Sequence, residues 1–177
     1  MSLWYEAGLV MRAAAAVLLV LAGCTSTLDR FEGTLAAQDS ATAALESWCG
    51  GKVTAAPLGG PDQPAAAKDR ALLEVPESEM LRYRHVRLSC NGKVLSEAHN
   101  WYVPARLTED MNRQLDTTDT PFGKVIAPLR FIRERVAGKG TKGCPRDTIL
   151  RHKALLRLSD GRAVSLVIEC YTPANLH

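Results

Sequence analysis

Two stretches of the chain alternate apolar and polar side chains with the two-residue period of a strand and then double back. Leu81–Cys90 runs up to Asn91-Gly92, a strong hairpin turn signal, and Lys93–Pro104 returns. Ile149–Leu158 runs to Asp160-Gly161, and Ala163–Thr172 returns. In the first strand Arg82, Arg84 and Val86 share one face, which Leu88 continues, while Tyr83, His85 and Arg87 share the other. In the last strand Val164, Leu166 and Ile168 point one way, and Ser165, Val167, Glu169 and Tyr171 the other. Cys170 therefore faces away from Glu169. An arginine on the more apolar face of a strand either snorkels to the rim or meets something buried.

Helical signals lie between and before the hairpins. Asp39-Ser40 caps a helix to about Trp48, with Gly50-Gly51 as its stop. Lys52–Ala56 reads as a short strand. Thr108 caps a helix over Glu109–Leu115. Thr120-Pro121 reads as an N-cap and a first-turn proline, opening a helical turn to Ile126 that Pro128 ends. Gly123 in that turn lets the backbone approach something closely, and the free N–H groups of a first turn suit an anion. Leu129–Val136 fits helix and strand equally well by period. Pro57–Lys68 and Gly138–Pro145 are turn-rich and read as loops or flaps.

At 177 residues the chain holds one domain and scarcely two. The net charge of +3 is small, and no Lys/Arg block with interleaved aromatics occurs, so nucleic acid is not an expected partner. Arg12 precedes an apolar run, Ala13–Ala22, that is too short to span a membrane and reads as a signal peptide. The run ends in Leu21-Ala22-Gly23-Cys24, which resembles the lipobox of bacterial lipoproteins. That resemblance implies cleavage of residues 1–23, lipidation of Cys24, a tether over 24–38 and a domain over 39–177. It also implies a lipid-anchored periplasmic protein held at the outer membrane, since Thr25 stands where an inner-membrane retention Asp would be. More than one acyl chain is what stable anchoring requires. The remaining cysteines, Cys49, Cys90, Cys144 and Cys170, are even in number and suggest two disulfides. Spacing does not choose among the three pairings. No C-x-x-C occurs and His85, His99, His152 and His177 are scattered, so no metal site is expected. Trp48, Trp101 and Tyr102 read as core or rim packing, and His99 and His152 as surface or hydrogen-bonded residues.

The ordered set of these features resembles the chorismate lyase (chorismate pyruvate-lyase) family. The residues that carry the match are Asp39-Ser40-x-Thr42, Arg84 eight residues before Gly92, Val103-Pro104 and Thr120-Pro121-Phe122-Gly123. Arg157–Arg162 and Glu169, followed by Pro173, complete it. The family fold is α+β: a single antiparallel sheet of about six strands with flanking helices and flap loops closing over a buried aromatic acid. By that resemblance Arg84 and the N–H of Phe122 would hold a ligand carboxylate, and Glu169 would meet the other end of the ring. A small aromatic or cyclic carboxylate is the implied ligand, with no cofactor and a monomeric chain. The alternatives are a working chorismate pyruvate-lyase, with Glu169 and Arg84 as catalytic residues, and a structural envelope protein with an inactive pocket. Ala41 departs from the family pattern, which has a ligand-contacting methionine there.

Overall fold

In a computed structural model, residues 25–136 and 140–177 are described. The stretch read as a signal peptide, the lipobox-like run with Cys24, and the first residues of the second flap (Gly138 and Lys139) lie outside them. The fold is α+β, one antiparallel sheet of six strands with flanking helices. The strands are β1 (Val53–Pro57), β2 (Arg82–Cys90), β3 (Lys93–Tyr102), β4 (Ile132–Arg135), β5 (Leu150–Arg157) and β6 (Ala163–Tyr171). Their spatial order is β1-β2-β3-β6-β5-β4, so the two hairpins meet along β3 and β6. Asn91 and Gly92 both take positive φ, 50° and 76°, the pair that a tight right-twisting hairpin turn demands. The stretch that fitted helix and strand alike forms the edge strand β4.

Among the described residues five α-helices accompany the sheet: α1 (Thr27–Ala36), α2 (Ala41–Cys49), α3 (Ala67–Leu72), α4 (Glu109–Thr117) and α5 (Phe122–Val125). Residues 27–36 correct the reading of 24–38 as a tether. Ser26 caps α1 through a reciprocal pair of bonds with Asp29. Phe31 and Leu35 are fully buried, Phe31 between Trp48 and Tyr171, so this segment is part of the core. The sequence cue was weak because only two apolar residues face inward over ten positions.

The core lies on both faces of the sheet. On one, α1 and α2 cover Val53, Val86, Leu88, Leu95 and Ala98, while Val125, Met111 and Leu115 from α5 and α4 surround Tyr102. On the other, Leu73 after α3 packs on Trp101, Leu155 and Leu166. There Lys153 meets buried Asp69 at 2.5 Å. The cysteines pair as Cys49–Cys90 and Cys144–Cys170. The first ties the end of α2 to the end of β2. The second pins the loop before β5 to β6. They close 41 and 26 residues, loops for which the chain-entropy estimate is roughly 3–4 kcal/mol each.

Candidate functional site

Strand register decides which side chains can meet. Arg84 lies opposite Asn100, and Asn100 opposite Val167. One row on, Val86 lies opposite Ala98, Ala98 opposite Glu169, and Glu169 opposite His152. Directly paired residues in an antiparallel sheet share a face. Arg84, Asn100, Glu169 and His152 therefore all rise toward α2 and α5. Those helices roof a small hollow lined by Ser40, Arg84, Asn100, Phe122, Arg133 and Glu169, with Val86, Leu88, Val167 and Phe131 among its apolar walls. Arg84, Phe122 and Glu169, singled out in the sequence, are thus brought to one place.

The roof is held shut by two contacts. Gly123 approaches the start of α2 so closely that a Cβ there would stand 2.5 Å from Ser40 Oγ. At the next residue, Lys124 Nζ meets Glu46 Oε1 at 2.5 Å, and Glu46 also accepts from the Val53 N–H at 2.8 Å. Burial works to raise the Glu46 pKa, but these two donors outweigh it and the net shift is downward. The turn itself differs from the sequence expectation. Pro121, not Thr120, occupies the N-cap position, no side chain caps the turn, and the helix is only four residues long. Such a stub gives the N–H of Phe122 little dipole behind it.

Sequence reasoning did not single out Arg133, Asn100 or Tyr171 as site residues. Arg133 reaches from edge strand β4 to form an ion pair with Glu169, and both side chains are more than nine-tenths buried. Tyr171 Oη donates to the same Glu169 oxygen at 3.1 Å. A carboxylate so engaged does not stand free as the acid that the lyase reading requires. Burial, and then the Arg135 and Arg133 charges, push the His152 pKa down to about 3. The signal for Arg133 was absent because the period of its stretch fitted two structures.

The polar atoms of the hollow are unbalanced. Among the described residues Arg84 Nη2, Asn100 Nδ2 and Arg133 Nε are buried with no hydrogen-bond partner. All three are donors, and the one carboxylate nearby is already used. Desolvation lowers the Arg84 pKa, Tyr102 and Asp116 offsetting it only in part. Arg84 is half-buried, but its Nη2 is fully enclosed, and a buried donor of a charged group without a partner is costly to maintain. The arrangement suits a group that brings acceptors and negative charge. The free space is about 50 Å³. An engineered apolar cavity of about 150 Å³ admits benzene in another protein. The hollow as it stands takes a carboxylate-sized group, and an aromatic ring needs the α2–α5 roof to give way.

No protein-family model matches the sequence. The chain is 37% identical over 175 positions to uncharacterized protein y4mC of Sinorhizobium fredii, an alignment covering 83% of this chain and 74% of that protein. The chain belongs to the y4mC family. Among solved structures, the effector domain of PhnF from Mycobacterium smegmatis matches with a TM-score of 0.56 at 12% identity, covering 77% of this chain and 90% of that one. A structure of PhnF from the same organism also matches at 0.56 and 12% identity, with 79% of this chain and 66% of that chain covered. The ligand-binding domain of a putative GntR-family transcriptional regulator from Bordetella bronchiseptica matches at 0.51 and 16% identity, covering 70% and 84%. Identities this low carry the fold alone. They nevertheless correct the family reading made from the sequence. The likeness runs to ligand-binding and effector domains of transcriptional regulators, not to lipoproteins or lyases. The lipoprotein reading, with its lyase and envelope-protein alternatives, is set aside, and with it the membrane anchoring through Cys24, while the chorismate lyase-like fold expected from the sequence stands.

Proposed function

We propose that this domain binds a small organic anion in the hollow beneath α2 and α5, with Arg84 as the principal contact. The observation that carries the reading is the buried Nη2 of Arg84, which lines the hollow and has no partner among the described residues. Asn100 Nδ2 and Arg133 Nε add two further donors. The ion pair between Arg133 and Glu169 gives the pocket a rigid neutral wall, so Arg84 supplies the net positive charge. The fold shared with ligand-binding domains of regulators supports a binding role over a catalytic one. The two disulfides support an oxidising compartment as the place where the domain works.

The test is titration calorimetry of the full chain with acetate, inorganic phosphate, benzoate and 4-hydroxybenzoate, with benzamide as the neutral control. Hydrogen bonds to charged groups contribute about 1.5–3 kcal/mol each, so Arg84→Ala should weaken anion binding at least tenfold. Benzamide should not bind. Equal affinity of the wild type and Arg84→Ala for every anion in the series overturns the reading.

A further inference from the structure

We propose that His85, Glu97 and His99 form a binding site for a divalent first-row transition metal ion, on the face of the β2–β3 ribbon away from the hollow. One lone-pair atom from each of the three lies within 4.8 Å of the other two. His85 Nε2 and Glu97 Oε1 already share a proton at 2.8 Å. A metal ion would take the place of that proton between the same two atoms, with the imidazole neutral and the carboxylate charged. Two imidazoles and one carboxylate make a donor set suited to zinc, copper, nickel or iron, with a coordination position left for water.

Backbone geometry brings the two histidines close. They are direct cross-strand partners. His85 turns its carbonyl toward the β1 side, where it accepts from the Leu58 N–H at 2.8 Å. The His85–His99 pair is therefore of the non-hydrogen-bonded kind, in which facing side chains approach most closely. The rings stack 4.2 Å apart at 14°. For both lone pairs to reach one ion at about 2.1 Å, one ring must turn out of the stack. That rotation about χ2 is soft, and His85 and Glu97 retain 22% and 18% of their side-chain exposure, so neither is locked in the core. Tyr83 Oη stands 2.7 Å from His99 Nδ1. Accepting a hydrogen bond from Nδ1–H, it would fix the tautomer that leaves Nε2 to the ion, as an outer partner does in many metal sites. Arg87 approaches the second Glu97 oxygen at 3.7 Å, exposed enough to swing into solvent.

The experiment uses the full chain without a histidine tag, stripped with chelator and titrated with zinc chloride by calorimetry. One equivalent should bind with a dissociation constant in the micromolar range or tighter. The double variant His85→Ala/His99→Ala should lose that binding. Glu97→Gln, which keeps the hydrogen bond to His85 and the packing, should weaken it at least tenfold. Copper(II) loaded in place of zinc should give an electron paramagnetic resonance spectrum with hyperfine splitting from two nitrogens. Arg84→Ala should bind zinc as the wild type does, which separates this site from the anion reading. Absence of saturable binding to the wild type, or unchanged affinity in Glu97→Gln and in the double histidine variant, overturns the proposal.

Discussion

The two faces of the β2–β3 ribbon have opposite chemistry. Arg84 and His85 are neighbours in sequence, but the pleat sends one under the α2–α5 roof and the other to the far side. Among the described residues lining the hollow on the roofed face, the unpartnered buried groups are donors: Arg84 Nη2, Asn100 Nδ2 and Arg133 Nε. On the far face the clustered groups, His85, Glu97 and His99, offer lone pairs. The covering decides how strongly each set acts. Beneath the helices one charge, that of Arg84, is partly desolvated and left without an ion-pair partner among the described residues, so its field is strong. On the half-open side water screens the groups, and they settle into hydrogen bonds and stacking with Tyr83 and Trp101. One ribbon can thus hold an anion on one side and a cation on the other without the two competing.

The sharpest way to break this comparison is to remove the carboxylate that pairs Arg133 inside the hollow. Glu169→Ala strands the buried Arg133 guanidinium and should cost about 3–5 kcal/mol in chemical denaturation. A loss below about 1 kcal/mol would mean that the pair is solvated and the face is not dry. The next effect is one of pH. His152 has a folded pKa of about 3 against an ordinary 6.5, so the unfolded chain takes up a proton first. Its contribution is complete above about pH 6.5 and falls as pH drops from there toward 3, at up to ~1.4 kcal/mol per pH unit. His152→Asn should flatten that limb of the stability profile. An unchanged slope would show that burial and the Arg135 and Arg133 charges together do not hold the ring neutral.

Arg84 should behave in the opposite sense to Glu169. Among the described residues its buried Nη2 lacks a partner, so Arg84→Met removes a burial cost and keeps the apolar stem. The free protein should be unchanged or more stable by ~1 kcal/mol, while anion binding is lost. A destabilisation beyond about 1 kcal/mol would show that Arg84 already has a compensating contact and is not waiting for a ligand.

Much of this frame was legible in the residues. Asn91-Gly92 and Asp160-Gly161 mark both hairpins, and period-two alternation puts Arg84 and Glu169 on their faces. With the resemblance adding how the hairpins pair, the α+β sheet follows. The cysteine count implied two disulfides but not their pairing, because pairing depends on which loops the sheet brings together. Arg133 stayed hidden because four strand residues at a sheet edge carry no alternation of their own. Asn100 is an unremarkable strand residue until register sets it beside Arg84. His85 and His99 looked scattered because they are fourteen positions apart along the chain. Only the two strands of the ribbon make them neighbours.

The smallest effect tests the roof that makes one face different from the other. A methyl group at Gly123 would stand 2.5 Å from Ser40 Oγ. Ser40 is the N-cap of α2, and its hydroxyl accepts from the Ala43 N–H at 3.4 Å. Gly123→Ala must therefore either displace that cap or lift α5 from α2. Loss of a serine cap costs ~1 kcal/mol, whereas a glycine at the cap costs only a few tenths. The prediction is a fall of about 1 kcal/mol for Gly123→Ala alone and a much smaller one for Gly123→Ala in a Ser40→Gly background. The coupling should appear in thermal denaturation as a non-additive double-mutant cycle. Strict additivity would mean that the helices do not meet at these two residues. The hollow would then lie open, with no dry face to set against the wet one.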